Sequence, residues 1–98
     1  MRRARVDASR AQLRNLRAQL KEREAQLSLA GIQLRRQQAL MKEDATTRES
    51  LQTAEATQKS AQAQLEALGA QIEQIESTLR ADEANLQYAR ILSPMKGT

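Results

Sequence analysis

The chain has 98 residues, with 16 basic and 12 acidic side chains and a formal net charge of +4. It contains no Cys, His, Trp or Phe, and only three Gly and one Pro. This excludes zinc fingers, iron–sulfur clusters, catalytic triads and thiol chemistry, and leaves no Gly-rich loop to hold a phosphate. Ala and Leu supply most of the apolar residues, too little bulk for a thick core, and with Gln, Glu, Arg and Lys they form the composition of long helices. The expectation is therefore a mechanical or recognition protein, not an enzyme, with no cofactor and no metal.

The first helix is expected over residues 1–43. Met1-Arg2-Arg3 leads into a polar helix rather than a signal peptide, and no apolar run approaches the roughly 20 residues that span a bilayer. Val6, Leu13, Leu20, Leu27, Leu34 and Met41 recur every seven residues. With these as heptad position a, Ser9, Leu16, Arg23, Ala30 and Gln37 fall at d. Such a repeat implies a left-handed coiled coil.

The aliphatic rhythm breaks at Glu43-Asp44-Ala45-Thr46-Thr47, which places a tight turn at residues 44–46. Thr46 with Glu49 has the spacing of a capping box, and Thr47 is the alternative cap. A second helix follows over 47–91, with Leu51, Gln58, Leu65, Ile72, Leu79 and Leu86 at a. Its d positions are Ala54, Ala61, Leu68, Ile75, Asp82 and Ala89. Ser93-Pro94 ends the helix, since Pro cannot continue it and disfavours helix at the residue before. Residues 92–98 are expected to be a short extended C-terminal stub. The predicted fold class is all-α: an antiparallel two-helix coiled-coil hairpin, because a short connection between long helices folds them back on each other.

Facing positions suggest a register. Setting Leu27 against Leu68, Leu20 against Ile75 and Leu34 against Ala61 matches large with small, and it pairs Gln37 with Gln58. A rival shift of one heptad leaves Gln37 against Leu51 and Ala30 against Gln58. The first is preferred, because a buried amide pair fixes register. Charge also favours an intramolecular hairpin, since the first arm is basic and the second is slightly acidic. A line of Arg10, Arg14, Arg17 and Lys21 has the charge to touch phosphates, but no aromatic or base-reading motif accompanies it.

A second stripe lies at f. In the first helix it comprises Ala4, Ala11, Ala18, Ala25, Ile32 and Ala39; in the second, Ala56, Ala63, Ala70, Ser77, Ala84 and Ile91. Ala is the best exposed helix former. Regular small residues also permit close approach of a neighbouring hairpin, and they are candidates for side-by-side packing.

Two runs carry a family resemblance. One is Arg36-Gln37-Gln38-Ala39-Leu40-Met41-Lys42-Glu43-Asp44-Ala45-Thr46-Thr47 at the turn. The other is Leu86-Gln87-Tyr88-Ala89-Arg90-Ile91-Leu92-Ser93-Pro94-Met95-Lys96-Gly97-Thr98. Together they resemble the α-helical hairpin of periplasmic adaptor proteins, or membrane fusion proteins, in particular the MacA-type adaptors of ABC-transporter-driven tripartite efflux pumps. The resemblance implies that residues 92–98 begin the link to a lipoyl-like domain lying outside this chain. It implies a periplasmic parent attached to the inner membrane, a hexamer in full-length form, and a bridge between an inner-membrane transporter and a TolC-like outer-membrane channel. The family's tip motif maps onto Arg36, Leu40 and Thr47, with Thr where Ser is usual. Two other functions stay open at this point. One is an inert coiled-coil spacer; the other is an electrostatic binder of nucleic acid or membrane through the basic first helix.

Overall fold

A computed structural model describes the backbone of residues 2–92 and the side chains of residues 3–89. The stub expected at 92–98 lies, apart from Leu92, outside the described residues. Two helices make up the fold: α1, Arg2–Lys42 (41 residues), and α2, Arg48–Leu92 (45 residues). They form an all-α helical hairpin. The connection is Glu43–Thr47, wider at both ends than the turn at 44–46.

The heptads decide what is covered. Every a and d position among the described side chains is buried or half-buried, and every described f position is exposed. A two-stranded seam is narrow, so among the described side chains only Val6, Leu13, Leu16, Ala30, Leu68 and Ile72 are buried. The structure divides into two compact units, one drawing on Met1–Arg17 and Ala70–Thr98, the other being Ala18–Gly69.

In the first unit, Val6, Leu13, Leu16 and Ile72 are the buried residues. Two ion pairs join the helices at e positions, Arg10 with Glu83 and Arg17 with Glu76. Seven residues up α1 correspond to seven residues down α2, as an antiparallel heptad pairing requires. Asp82, at d, places its Oδ2 out of solvent with no hydrogen-bond partner.

In the second unit the contacts follow the rival register, and this corrects the sequence-based preference. Arg23 Nη1 donates to Gln64 Oε1 at 3.2 Å. Gln64 precedes Leu65, the residue that faces Arg23 when Ala30 is set against Gln58. The preferred register would have placed Arg23 against Ile72, two turns away. Ala30 likewise shares a groove with Thr57 and Ala61, the neighbours of Gln58. Gln37 does not rely on a Gln58 partner, because its Oε1 accepts a hydrogen bond from Thr46 Oγ1 at 2.6 Å. The physical reason is the short connection: five residues cannot let α2 slide a further heptad along α1.

Candidate docking site at the hairpin tip

The tip lies wholly within the unit Ala18–Gly69. Its geometry begins with the end of α1. Ala45 N–H donates to the Leu40 carbonyl at 2.8 Å and Asp44 N–H to the Met41 carbonyl at 3.1 Å. This pair of bonds is a Schellman motif, which satisfies carbonyls that the helix end would otherwise orphan. The motif needs a left-handed residue at Asp44, and its φ is 56°. Gly usually fills that position; Asp tolerates it better than most side chains. Lys42, in the last turn of α1, complements the negative end of the helix dipole.

The start of α2 is capped by Thr47, not by the Thr46–Glu49 box. Thr47 Oγ1 accepts the Ser50 N–H at 3.0 Å and donates to Ser50 Oγ at 2.9 Å. The Leu51 N–H meets the Thr47 carbonyl at 3.1 Å, closing the first helical turn. Thr46 is left free to bond Gln37 across the turn, so each of the two adjacent threonines has its own task. Glu49 sits in the first turn of α2, where a negative charge suits the helix N-terminus.

Arg36, Leu40 and Thr47 occupy this frame as follows. Arg36 is exposed and Leu40 is half-buried one helical turn later, so the two share a face of α1. Arg36 lines a groove with Gln33 and Gln37 of α1 and Ser50, Thr53 and Thr57 of α2. Ser50 is the partner of Thr47, so the guanidinium and the capped helix start border the same groove. Leu40 does not line it. The Thr47 side chain is exposed, with its hydroxyl already engaged by Ser50. This commitment of the hydroxyl is that of the alternative cap the sequence offered.

The Ala stripe is placed as its heptad position demands. Ala4, Ala11, Ala70 and Ala84 are exposed in one unit, and Ala18, Ala25, Ala56 and Ala63 in the other. Of the basic line on α1, Arg10 and Arg17 are taken up by Glu83 and Glu76. Among the described residues no helix is long and apolar enough to cross a membrane, and no cluster of ligating side chains fit for a metal occurs.

Residues 12–92 match the family model described as "RND MFP, alpha-helical hairpin domain", and the chain belongs to this family of membrane fusion protein hairpins. Comparison with curated proteins and with solved structures gives no match. Membrane fusion proteins are periplasmic, and their hairpin domains are structural adaptor elements working in tripartite pumps with outer-membrane channels.

Proposed function

We propose that the hairpin tip docks onto a TolC-like outer-membrane channel, and that the parent protein bridges this channel to an inner-membrane transporter. The observation that carries this reading is the tip itself. Arg36 is exposed beside a polar groove, with Leu40 one turn away, on a rigid turn closed by its own hydrogen bonds. Arg36 offers directional donors to carbonyls or carboxylates of the channel. Leu40 adds apolar contact, and Thr47 keeps the rim of the site in shape. One hairpin offers a small contact, so several acting together supply the avidity.

By the resemblance of the tip and of the run from Leu86 to Gly97, the transporter is of the ABC type and the adaptor is MacA-like. A second reading takes the family description at its word and pairs the adaptor with an RND transporter. Capture of the inner-membrane partner by the tagged full-length adaptor separates them: a transporter dependent on ATP hydrolysis supports the first, a proton-driven one the second.

The tip is tested by site-specific cross-linking to the channel and by drug export. Arg36→Asp should abolish both while helicity and melting stay close to wild type, because Arg36 is exposed. Leu40→Asp should abolish both as well, with some loss of stability, since Leu40 is half-buried. Full export by a folded Arg36→Asp variant would leave the inert-spacer reading. Side-by-side packing through the exposed Ala stripe belongs to the same proposal. Ala18→Glu with Ala70→Glu should leave the hairpin folded and weaken assembly of the full-length adaptor.

A further inference from the structure

The groove beside Arg36 has a hydrogen-bond polarity that the turn imposes on it. Gln37 lines the groove, and its Oε1 already accepts from Thr46 Oγ1 at 2.6 Å. An amide has an oxygen that accepts and an NH2 that donates, so Gln37 has chiefly its Nε2 donors left to offer. Ser50 lines the groove as well. Its Oγ accepts from Thr47 Oγ1 at 2.9 Å, and a hydroxyl engaged in that way keeps its own proton to give. The two threonines of the turn thus act in the same sense, since each passes a hydroxyl proton to a groove residue and leaves it a donor.

The remaining lining fits this polarity. Arg36 carries N–H donors and no acceptor, and it enters no ion pair among the described residues. Gln33 and Thr53 can turn either way. Thr57 has given its proton to the Thr53 carbonyl at 2.9 Å, so it alone is left as an acceptor. No residue lining the groove is acidic. Its volume of about 280 Å³ admits a side chain, and falls short of the roughly 300–1,000 Å³ that a drug-sized ligand occupies.

We infer that this groove binds a carboxylate, borne by an acidic side chain of the channel. The inference rests on the proposed docking of the tip and names the group that the tip reads. An ionised carboxylate only accepts, at about four lone-pair sites, and so complements a set of donors. Arg36 engages it through its planar fork, with the shorter and stronger bonds that charge gives. A peptide carbonyl has fewer lone pairs and would leave donors of Gln37 or Ser50 unmatched in the contact, which costs free energy. Recognition of phosphate draws on clusters of Arg, and Arg36 is the one cation on this groove. The N-terminus of α2, at the Ser50 end, adds partial positive charge. Arg36, Gln37 and Ser50 are the binding residues, and Thr46 and Thr47 are positioning residues that act through them.

Side-chain NMR of the 98-residue chain tests this through the Arg36 Nε–H and Gln37 Nε2 amide resonances. The probes are N-acetyl-glutamate methylamide and N-acetyl-glutamine methylamide, alike in shape and different in charge, with inorganic phosphate as a third, all at equal ionic strength. The expected result is saturable shifts with the glutamate probe, at an affinity roughly tenfold above that of the glutamine probe. Arg36→Gln should abolish the binding. Ser50→Ala and Thr46→Val should each weaken it several-fold while circular dichroism stays unchanged. Ser50→Ala keeps the Thr47 cap, because that cap uses the Ser50 backbone N–H. Equal affinity for the two blocked amino acids, no saturation by glutamate, tighter binding of phosphate, or wild-type binding by both Ser50→Ala and Thr46→Val would each overturn the inference. So would shifts at the exposed Arg35 and Arg48 as large as those at Arg36, the mark of an adventitious ion only. Channel cross-linking at Arg36 reads the docking itself. Cross-linking without binding of the glutamate probe removes the carboxylate and keeps the docking, and the reverse result removes the docking.

Discussion

Arg17 Nη2 lies 2.8 Å from Glu76 Oε2, joining positions 59 residues apart in the chain, yet both side chains keep much of their surface in water. The pair therefore marks the antiparallel pairing more than it stabilises it, since exposed ion pairs contribute about 0.2–1 kcal/mol. Glu76→Gln should lower stability by no more than about 1 kcal/mol. Reversing both charges, Arg17→Glu with Glu76→Arg, should recover most of the loss. Chemical denaturation of the two variants measures the difference. A loss of several kcal/mol for Glu76→Gln would mean that the pair is far more shielded than its exposure indicates.

The seam should behave differently. Leu13 and Leu68 are 4% and 7% exposed. Leu13→Ala or Leu68→Ala should cost on the order of 2–4 kcal/mol, the usual loss for a buried leucine with little room to collapse. Ala18→Ser, at an exposed position, should change little. Equal melting temperatures for all three variants would overthrow the heptad assignment.

Asp82 places a carboxylate oxygen in the seam without a hydrogen-bond partner. Such a group forfeits hydration and receives nothing in return. Asp82→Leu should therefore raise stability by about 1–3 kcal/mol. Thermal unfolding decides, and a lower midpoint for the leucine variant would show that the carboxylate contributes to the native state.

Both sides of the turn can be tuned independently. Asp44 adopts the left-handed conformation that Gly takes without steric cost, so Asp44→Gly should stabilise the hairpin by up to about 1 kcal/mol. Thr47→Ala should cost about 1 kcal/mol through loss of the cap, and Thr47→Ser should keep it. If Thr47→Ala and Thr47→Ser melted alike, the hydroxyl would have no structural part. Comparing the same pair in channel cross-linking then tells capping from contact.

Gly69 sits inside α2, and a Cβ built there meets nothing within 4 Å. Neither close approach nor an unusual backbone angle calls for glycine at this site. Gly69→Ala should add roughly 1 kcal/mol from helix propensity alone. A destabilised alanine variant, read by the same melting experiment, would show that the helix needs to bend there.

How far the sequence carried this picture depends on the residue. The covered and exposed faces followed from Val6, Leu13, Leu68 and Ile72, because a seven-residue repeat fixes which side of a helix meets its partner. The register did not follow. Moving α2 by one heptad still sets every a against a d, so matching Leu27 with Leu68 and Gln37 with Gln58 discriminates weakly. The turn discriminates strongly, and its left-handed residue was hidden because Asp44 stands where Gly would have announced it. Thr46 and Thr47 are adjacent and chemically alike, so only geometry told cap from cross-turn donor. Arg36, Leu40 and Thr47 were singled out through resemblance and their docking role is a proposal, while the Thr47 cap on Ser50 was one of two caps that the spacing left open.

The hydrogen bond from Thr46 to Gln37 bridges only nine residues, whereas the Arg10–Glu83 pair closes a separation of 73. Loop-closure entropy grows with the logarithm of that separation, so the distant pair costs about 2 kcal/mol more to form from an open chain. The turn should consequently form first, and pairing should then advance away from it, each closed heptad shortening the loop left for the next. Folding of this chain becomes a zipper started at the same end that we propose to meet the channel, and a defect at Asp44 or Thr47 would slow the birth of the whole hairpin as well as loosen its tip.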